Sequence, residues 1–519
     1  MVRRDHHRNA ARGGLMQKVS SNYAPFTPVR EVGMLVRFYI VDPSAKKNGT
    51  ASASDSAPGT SAAETISDRE TISGKFAGLE LNLWILDGTI DIPNDSFDGQ
   101  HIGWWSGGVS NESTEMASTI TFEFSAPVST IGWAMLFDEK MNQYPAQITI
   151  TAYASDGSTV AIGTKMITQA RQNISMTAAN YTKLTIRFDK TFLPKTRARL
   201  RQIDFGLTET YENDSMANVQ IVEEASVSCD AFPSRQISFT FDNADHRYNI
   251  LNPDGVFSVV QDGQKLLARC IVNGESIDVG EFFFTSVTAR DSGVTAQLVG
   301  NDMAATLERA TYENGNATAC ELQAAVASVL DGYDINVIYG DEAAAKTVVP
   351  AVPRKTTRRE AIRLLAQAAM CSAWFDRSGN LHIAELSAGA VLGEITPDEL
   401  YNYDGVSISE AVDCVELHIK SDYANIDTTI TAGSGKNIKS VNNPCVAPAN
   451  YQSVAAWLLA QYNRRKIYSV KNRGNPALET GDTIKISDAF AQNENAVQTG
   501  MELTFSGGGI YAVTKGVGA

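Results

Sequence analysis

Between Arg354 and Leu386 the chain reads RKTTRREAIRLLAQAAMCSAWFDRSGNLHIAEL, and few folds accommodate that order of signals. Thr357 and Glu360 stand at capping-box spacing, where a hydroxyl and a carboxylate satisfy the orphan N–H groups of a helix start. Ile362, Leu365 and Ala369 recur at helical spacing, and Leu364, Ala368 and Met370 widen the apolar stripe, so a helix is predicted to end near Cys371. An apolar run (Ala373, Trp374, Phe375), a turn (Asp376 to Asn380) and an alternating strand (Leu381, Ile383, Leu386) follow. A capped helix feeding a tight hairpin is the expected unit. Its residues pack and turn the chain and carry no chemistry, and His382 is expected to point out of its strand.

A chain of 519 residues is too long for one hydrophobic core, so three or four domains are expected. Apolar residues at 43% and charged residues at 20% fit a folded protein. Strand-like runs outnumber helical ones, and the fold class read from them is mainly β and multidomain. The formal net charge of −15 argues against a nucleic-acid-binding surface, which needs clustered Lys and Arg. Cys229, Cys270, Cys320, Cys371, Cys414 and Cys445 lie far apart with no C-x-x-C pair, so neither a zinc site nor a disulfide framework is expected. Cys229, Cys371 and Cys414 sit in apolar runs and read as small buried hydrophobes. Residues 1–12 are basic (Arg3, Arg4, Arg8, Arg12) without a following apolar stretch, which is not a secretory signal, and no run approaches membrane-spanning length.

Taken in order, residues 1–20 read as a flexible basic arm, and 21–74 as a β strand at 34–41 followed by a long Ser/Ala-rich loop. Residues 75–211 read as a β-sandwich with strands at 81–86, 120–124, 130–137, 146–154, 183–188 and 199–206. Residues 212–303 form a β domain with strands at 236–241, 265–272, 281–288 and 295–299. Asp242, Asn243, Asp245 and Asp254 there lack the EF-hand spacing and read as turn residues. Residues 304–398 are helical or αβ, and 399–519 are a further β domain with an inserted amphipathic helix at 451–465. Ser506-Gly507-Gly508-Gly509 is placed for a hairpin turn and not for a phosphate loop.

In the sandwich, Trp104 and Trp105 are candidates for an exposed aromatic platform on which a sugar's C–H face stacks, with Asp138, Asn142 and Tyr144 supplying polar contacts. The competing reading places one of these two tryptophans, with Trp84 and Trp133, in the core. No G-x-S-x-G, H-E-x-x-H, Walker A or C-x-x-C motif is present, and the histidines fall in separate segments. No catalytic, cofactor-binding or metal-binding residue is assigned, no cofactor is expected, and the chain is not expected to be an enzyme.

Several stretches together resemble a known family. The run R-E-A-I-R-L-L-A followed by D-R-S-G-N-L, and the later N-R-G-N-P-A-L-E-T-G-D-T-I from Asn472 to Ile484, resemble motifs of phage tail and baseplate hub proteins. F-T-F-D-N-A-D-H-R-Y, Gly280-Glu281-Phe282 and L-V-G-N-D are similar to that family's first barrel, and 399–519 to its second, with an intervening α/β segment. T-I-T-F-E-F-S-A-P-V-S-T-I-G-W, Y-P-A-Q-I-T-I-T-A-Y-A-S-D-G and A-R-L-R-Q-I-D-F-G resemble the jelly-roll sandwich of galactose-binding-like and discoidin-like modules. The resemblance implies a structural virion protein at the tail tip, assembled in the host cytoplasm. Three copies would form a ring that anchors tip or fibre proteins and gates a channel past whose acidic wall DNA slides. Its implied partners are itself as a homotrimer, tail-tube and tape measure proteins, and a host glycan or baseplate protein at the sandwich. The alternatives are a carbohydrate-binding adhesin or glycan-active enzyme using the sandwich, and a type VI-like secretion hub.

Overall fold

The computed structural model describes residues 17, 19–20, 23–41, 45–57, 103–137, 144–249, 251–252, 255–256, 260–289, 293–313, 315, 318–350, 355–401, 405–421, 426–487 and 494–518. They fall into two compact units. One comprises Met1–Arg37, Thr210–Leu251 and Lys265–Ala519, and the other Phe38–Glu209 and Asn252–Gln264.

The second of these units is built on a six-stranded sheet. Its order is Gly49–Ala53, Thr119–Leu136, Arg171–Thr191, Pro145–Tyr153, Thr159–Met166, with Gln202–Asp204 also on Thr119–Leu136. Alternation drives it: Ile120, Phe122 and Phe124 point into the core while Glu123 is exposed. Phe124 meets Tyr181 and Phe205 edge to face at 5.4 and 5.1 Å. The strands expected at 120–124 and 130–137 are one strand, Thr119–Leu136, because register shifts at Glu123/Val128, Val128/Thr130 and Thr130/Gly132 let it bend without breaking. The expected loop after residue 45 holds a short helix, Ala45–Asn48, and strand Gly49–Ala53, which pairs with residues 120–124. Its Gly, Ala, Ser and Thr residues have little to bury, so backbone pairing and not hydrophobic patterning places it. The strand expected at 81–86 and Trp84 lie outside the described residues.

In the first unit one antiparallel path of strands runs Lys265–Val272, Glu275–Ala289, Thr295–Asn301, Gln236–Asp242, Met216–Glu224, Glu494–Ser506, Gly509–Gly518, Lys466–Asn472, Val406–Ile408. The two β regions read as separate domains share a seam, Met216–Glu224 against Glu494–Ser506, in register from Asn218↔Ser506 to Glu224↔Gly500. The Gly507-Gly508 turn forms as expected, both residues at positive φ (59° and 74°), which a two-residue hairpin of this twist requires. Asp242, Asn243 and Asp245 accept hydrogen bonds from the backbone N–H groups of Ala244, Tyr248 and Arg247, the turn role expected of them, and Asp254 lies outside the described residues.

Part of the expected second barrel is otherwise arranged. Cys414–Ser421, Ile426–Gly433 and Ile438–Asn442 form their own three-stranded sheet. Its buried face (Val415, Leu417, Ile419) joins one core with helix Tyr451–Tyr462 and helix Arg358–Ala368. A strand with one apolar face needs a helix or a second sheet over it, and Val454 and Leu458 supply that cover.

Helix Arg358–Ala368 starts as predicted, the Thr357 hydroxyl accepting from the Glu360 N–H at 3.1 Å. The carboxylate half of the capping box is absent, because Glu360 grips Arg363 through both oxygens (2.6 and 2.7 Å). The helix ends in a left-handed residue, Met370 (φ 58°), whose N–H bonds Gln367 O while that of Cys371 bonds Ala366 O, both at 3.0 Å. That pattern satisfies the last carbonyls without a glycine.

Candidate functional site

Strand Ser372–Phe375 turns through Asp376-Arg377-Ser378-Gly379-Asn380 into strand Leu381–Ala384. Asp376 builds the turn: its Oδ1 accepts from Ser378 N and Asn380 N, both at 2.9 Å, and its Oδ2 from Asn380 Nδ2 at 2.8 Å and His382 Nε2 at 2.9 Å. Burial would raise the Asp376 carboxyl, but the hydrogen bonds from His382 and Asn380 hold it below the usual carboxylate range. His382 does not point outward as expected. It is buried, stacked on Trp374 at 5.2 Å, because a hydrogen-bond acceptor and an aromatic face await it on the inner side of the strand.

The turn aims Arg377 into the protein. Its guanidinium meets Glu223 (Nη2–Oε1 2.9 Å, Nε–Oε2 3.2 Å) and donates to the carbonyls of Leu478 (2.7 Å) and Pro476. The backbone N–H of Arg377 donates to Glu479 Oε2 at 3.2 Å. Arg235 flanks the pair with its Nε 3.5 Å from Glu223 Oε2, donating to the carbonyls of Asp376 and Val279, each at 2.9 Å. Burial alone would pull the Arg377 guanidinium down, but Glu223 and Glu479 hold it above its ordinary value. Glu479 is treated oppositely: burial pushes its carboxyl up to about 8, Arg377 opposing this and Glu223 adding to it. Two stretches about a hundred residues apart, D-R-S-G-N-L and N-R-G-N-P-A-L-E-T-G-D, are thus two halves of one buried contact.

The helix before the hairpin is tied in by a second buried polar contact. Gln367, fully buried, donates to Ser228 O at 3.0 Å and accepts from Asn443 Nδ2 at 3.0 Å. Neither Glu223, Arg235 nor Gln367 carries a local pattern by which sequence reasoning singles it out. Only Arg377, a long cation in a turn beside Gly and Asn, offers a signal.

The sugar-platform expectation is corrected for the tryptophans. Trp104 is fully buried and Trp105 is 3% exposed. Trp104–Trp105 pairs with Arg199–Leu200, and Trp104 Nε1 reaches Ser56 Oγ at 2.9 Å and Asp55 O at 3.1 Å. The Arg199 guanidinium covers one face of the Trp105 ring at 3.5 Å, and burial of the residue leaves no platform for a ligand. Tyr144 is half-buried, edge-on to Phe192 at 5.1 Å, its hydroxyl donating to Thr168 O at 3.1 Å. Asp138 and Asn142 lie outside the described residues.

Among the described residues no group of three or more His, Cys, Asp or Glu side chains stands where it could hold a metal ion, and no helix is long and apolar enough to cross a membrane. An open cavity of about 600 Å³ beside the Arg358–Ala368 helix is lined by Asp230, Glu360, Arg363, Lys420 and Lys439. Arg363 is taken up by Glu360, and Lys439 stands 3.9 Å from Asp230.

Fold and junction together define a mainly β, multidomain protein in which buried charge ties remote segments together. No protein-family model matches the sequence, and no curated protein matches it. Among solved structures the chain is similar to the 43 kDa tail protein of prophage MuSo2 from Shewanella oneidensis, at 14% identity and TM-score 0.43, over 60% of this chain and 95% of that one. It is similar to a tail protein from Neisseria meningitidis, at 12% identity and TM-score 0.45, over 60% and 93%. A third is a type VI secretion component of E. coli described as structurally similar to T4 bacteriophage tail proteins, at 10% identity and TM-score 0.39, over 59% and 74%.

Proposed function

We propose that this chain is a structural hub of a phage tail or tail-like secretion particle, carrying an additional β-sandwich. The observation that supports the reading is the Arg377 junction. The two stretches that resemble hub motifs meet there, and their most distinctive residues are spent on holding backbone. A buried arginine that donates to two carbonyls and one carboxylate fixes geometry and turns over no substrate. In this reading three copies form a ring at the distal end of the tail tube, anchor tip or fibre proteins, and gate the passage of DNA or tape measure. The acidic balance of the chain suits a channel wall to which DNA does not adhere. The sandwich serves as a docking surface for a neighbouring baseplate protein or a host glycan. For the glycan only Tyr144, among the described candidates, is not buried.

The test is the mass of the full chain in solution by light scattering, alone and with its tail-tube protein, with electron microscopy of the product. A threefold ring in either condition supports the hub. A chain that stays monomeric in both overturns it.

A further inference from the structure

Strand Ile438–Asn442 closes one side of the three-stranded sheet in which Cys414–Ser421 is central. The two run parallel, Cys414 N donating to Asn437 O at 3.2 Å and Asn443 N to His418 O at 2.9 Å. In a parallel ladder alternate residues spend both backbone groups on one neighbour. Asn437, Lys439, Val441 and Asn443 therefore face the central strand, and the N–H and C=O groups of Ile438, Ser440 and Asn442 point to the other edge. No further strand pairs with that edge among the described residues.

The edge looks into the open cavity of about 600 Å³. Lys439, Ser440, Val441 and Asn442 line one wall. A strand presents consecutive residues only with its edge, since a face shows alternate ones. Glu360, Arg363 and Leu364, spaced i, i+3 and i+4, line the other wall with one face of helix Arg358–Ala368. The walls meet where Asn443 Nδ2 donates to Leu364 O at 2.9 Å. A groove between a free strand edge and a helix face is the shape that an extended peptide fills as an added strand. The residues of Ile438–Asn442, at about 3.3 Å each, offer roughly 17 Å of edge.

Charge selects the kind of peptide. The acids of the groove are engaged: Glu360 holds Arg363 through both oxygens, and Asp230 Oδ1 accepts from the Tyr462 hydroxyl at 2.6 Å. The lysines are held loosely. Lys439 stands 3.9 Å from Asp230 and Lys420 3.8 Å from Asp427, beyond hydrogen-bond reach, with side chains 50% and 62% exposed. Lysines beside an edge repel an indiscriminate strand, and a carboxylate on the incoming one turns them into anchors.

We propose that Ile438–Asn442 and helix Arg358–Ala368 form a docking groove for an extended acidic segment of a partner protein, bound as an added strand along Ile438–Asn442. The inference stands independently of the hub reading, since it concerns one groove whatever the chain assembles into.

The full chain is panned with a displayed library of random peptides of about seven residues, and the enriched peptides are resynthesised. They are expected to be richer in Asp and Glu than the library. They should slow amide exchange of residues 438–442 by about tenfold or more and leave helix Arg358–Ala368 unchanged. Ser440→Pro removes an N–H aimed at the groove, a change that an edge strand tolerates, and should weaken binding about tenfold or more. Lys420→Glu should weaken it similarly through charge alone. A library that yields no binder, binders rich in Lys and Arg, or binders that either variant holds as tightly as the wild type would each overturn the groove. So would protection of the 438–442 amides that grows with concentration in the peptide-free chain, because a second copy would then fill the edge. If Ser440→Pro does not fold, Lys420→Glu decides alone.

Discussion

Arg377 and Glu223 lie 154 positions apart and form a two-point ion pair with 1% and 2% side-chain exposure. Around it the hairpin tip, the strand at the β seam and the Pro476–Glu479 loop are held in one arrangement.

Arg377→Ala is expected to leave Glu223 and two carbonyls without their donor and to lower stability by about 3–5 kcal/mol, the cost of breaking a buried pair from one side. Urea titration followed by tryptophan fluorescence reads it, because Trp374 stands in the strand entering that turn. A loss below about 1 kcal/mol, the range of exposed pairs, would contradict the junction's role.

The Glu479 carboxyl ionises at about 8 when folded, against an ordinary value of 4.5. The folded state thus holds a proton that the unfolded state gives up, and stability should fall as pH rises through that window. Denaturant midpoints at pH 5, 6.5 and 8 should fall in the wild type and do so less steeply in Glu479→Gln. Parallel profiles for both would refute the assignment.

Trp104 is read as core, so Trp104→Ala should cost about 3–5 kcal/mol in the sandwich unit. Calorimetry of the full chain should show one transition move down while the other stays.

Gly132 allows a close approach: a Cβ there would stand 2.3 Å from Ile174 O and 2.6 Å from Leu207 Cδ2. Gly132→Ala should therefore destabilise the sandwich by about 1–3 kcal/mol through overpacking. Gly157→Ala, at φ +82° with nothing within 4 Å, tests backbone strain alone and should cost about 1 kcal/mol. Equal melting of the two variants and the wild type would count against the packing described.

All six cysteines are free, and only Cys320 is not buried. Burial pushes the Cys229, Cys270 and Cys371 thiols up to about 12. A thiol-reactive dye at pH 8 should label Cys320 first and the rest only on unfolding. Rapid labelling of two or more sites in the native chain would be inconsistent with this core.

Local signals were legible where they act over a few residues. The Thr357 cap, the Asp376–Asn380 turn, the Gly507-Gly508 hairpin and the alternation in Gln236–Asp242 each declare themselves within one element. The expectation that Trp104 and Trp105 form a platform did not hold, because an adjacent aromatic pair reads alike whether exposed or covered. Arg199, which covers Trp105, lies 94 positions on. His382 misled for the same reason, since alternation marks two faces of a strand but not which one meets an acceptor.

By itself the sequence determined the kinds of elements, most of their positions, the turn chemistry and the mainly β class. These follow from capping, periodicity and φ preferences, which span no more than a few residues. Only the tertiary structure decided that the two β regions share the seam of Met216–Glu224 with Glu494–Ser506, and that Cys414–Ser421 leaves the larger sheet for its own. It also decided that Arg377 faces inward to Glu223 and that Gln17 reaches Glu479. Strand pairing is made by backbone groups that every residue carries alike, and a buried charge is settled by partners far away in the sequence, 154 positions for Arg377 and Glu223. Neither leaves a local trace to read.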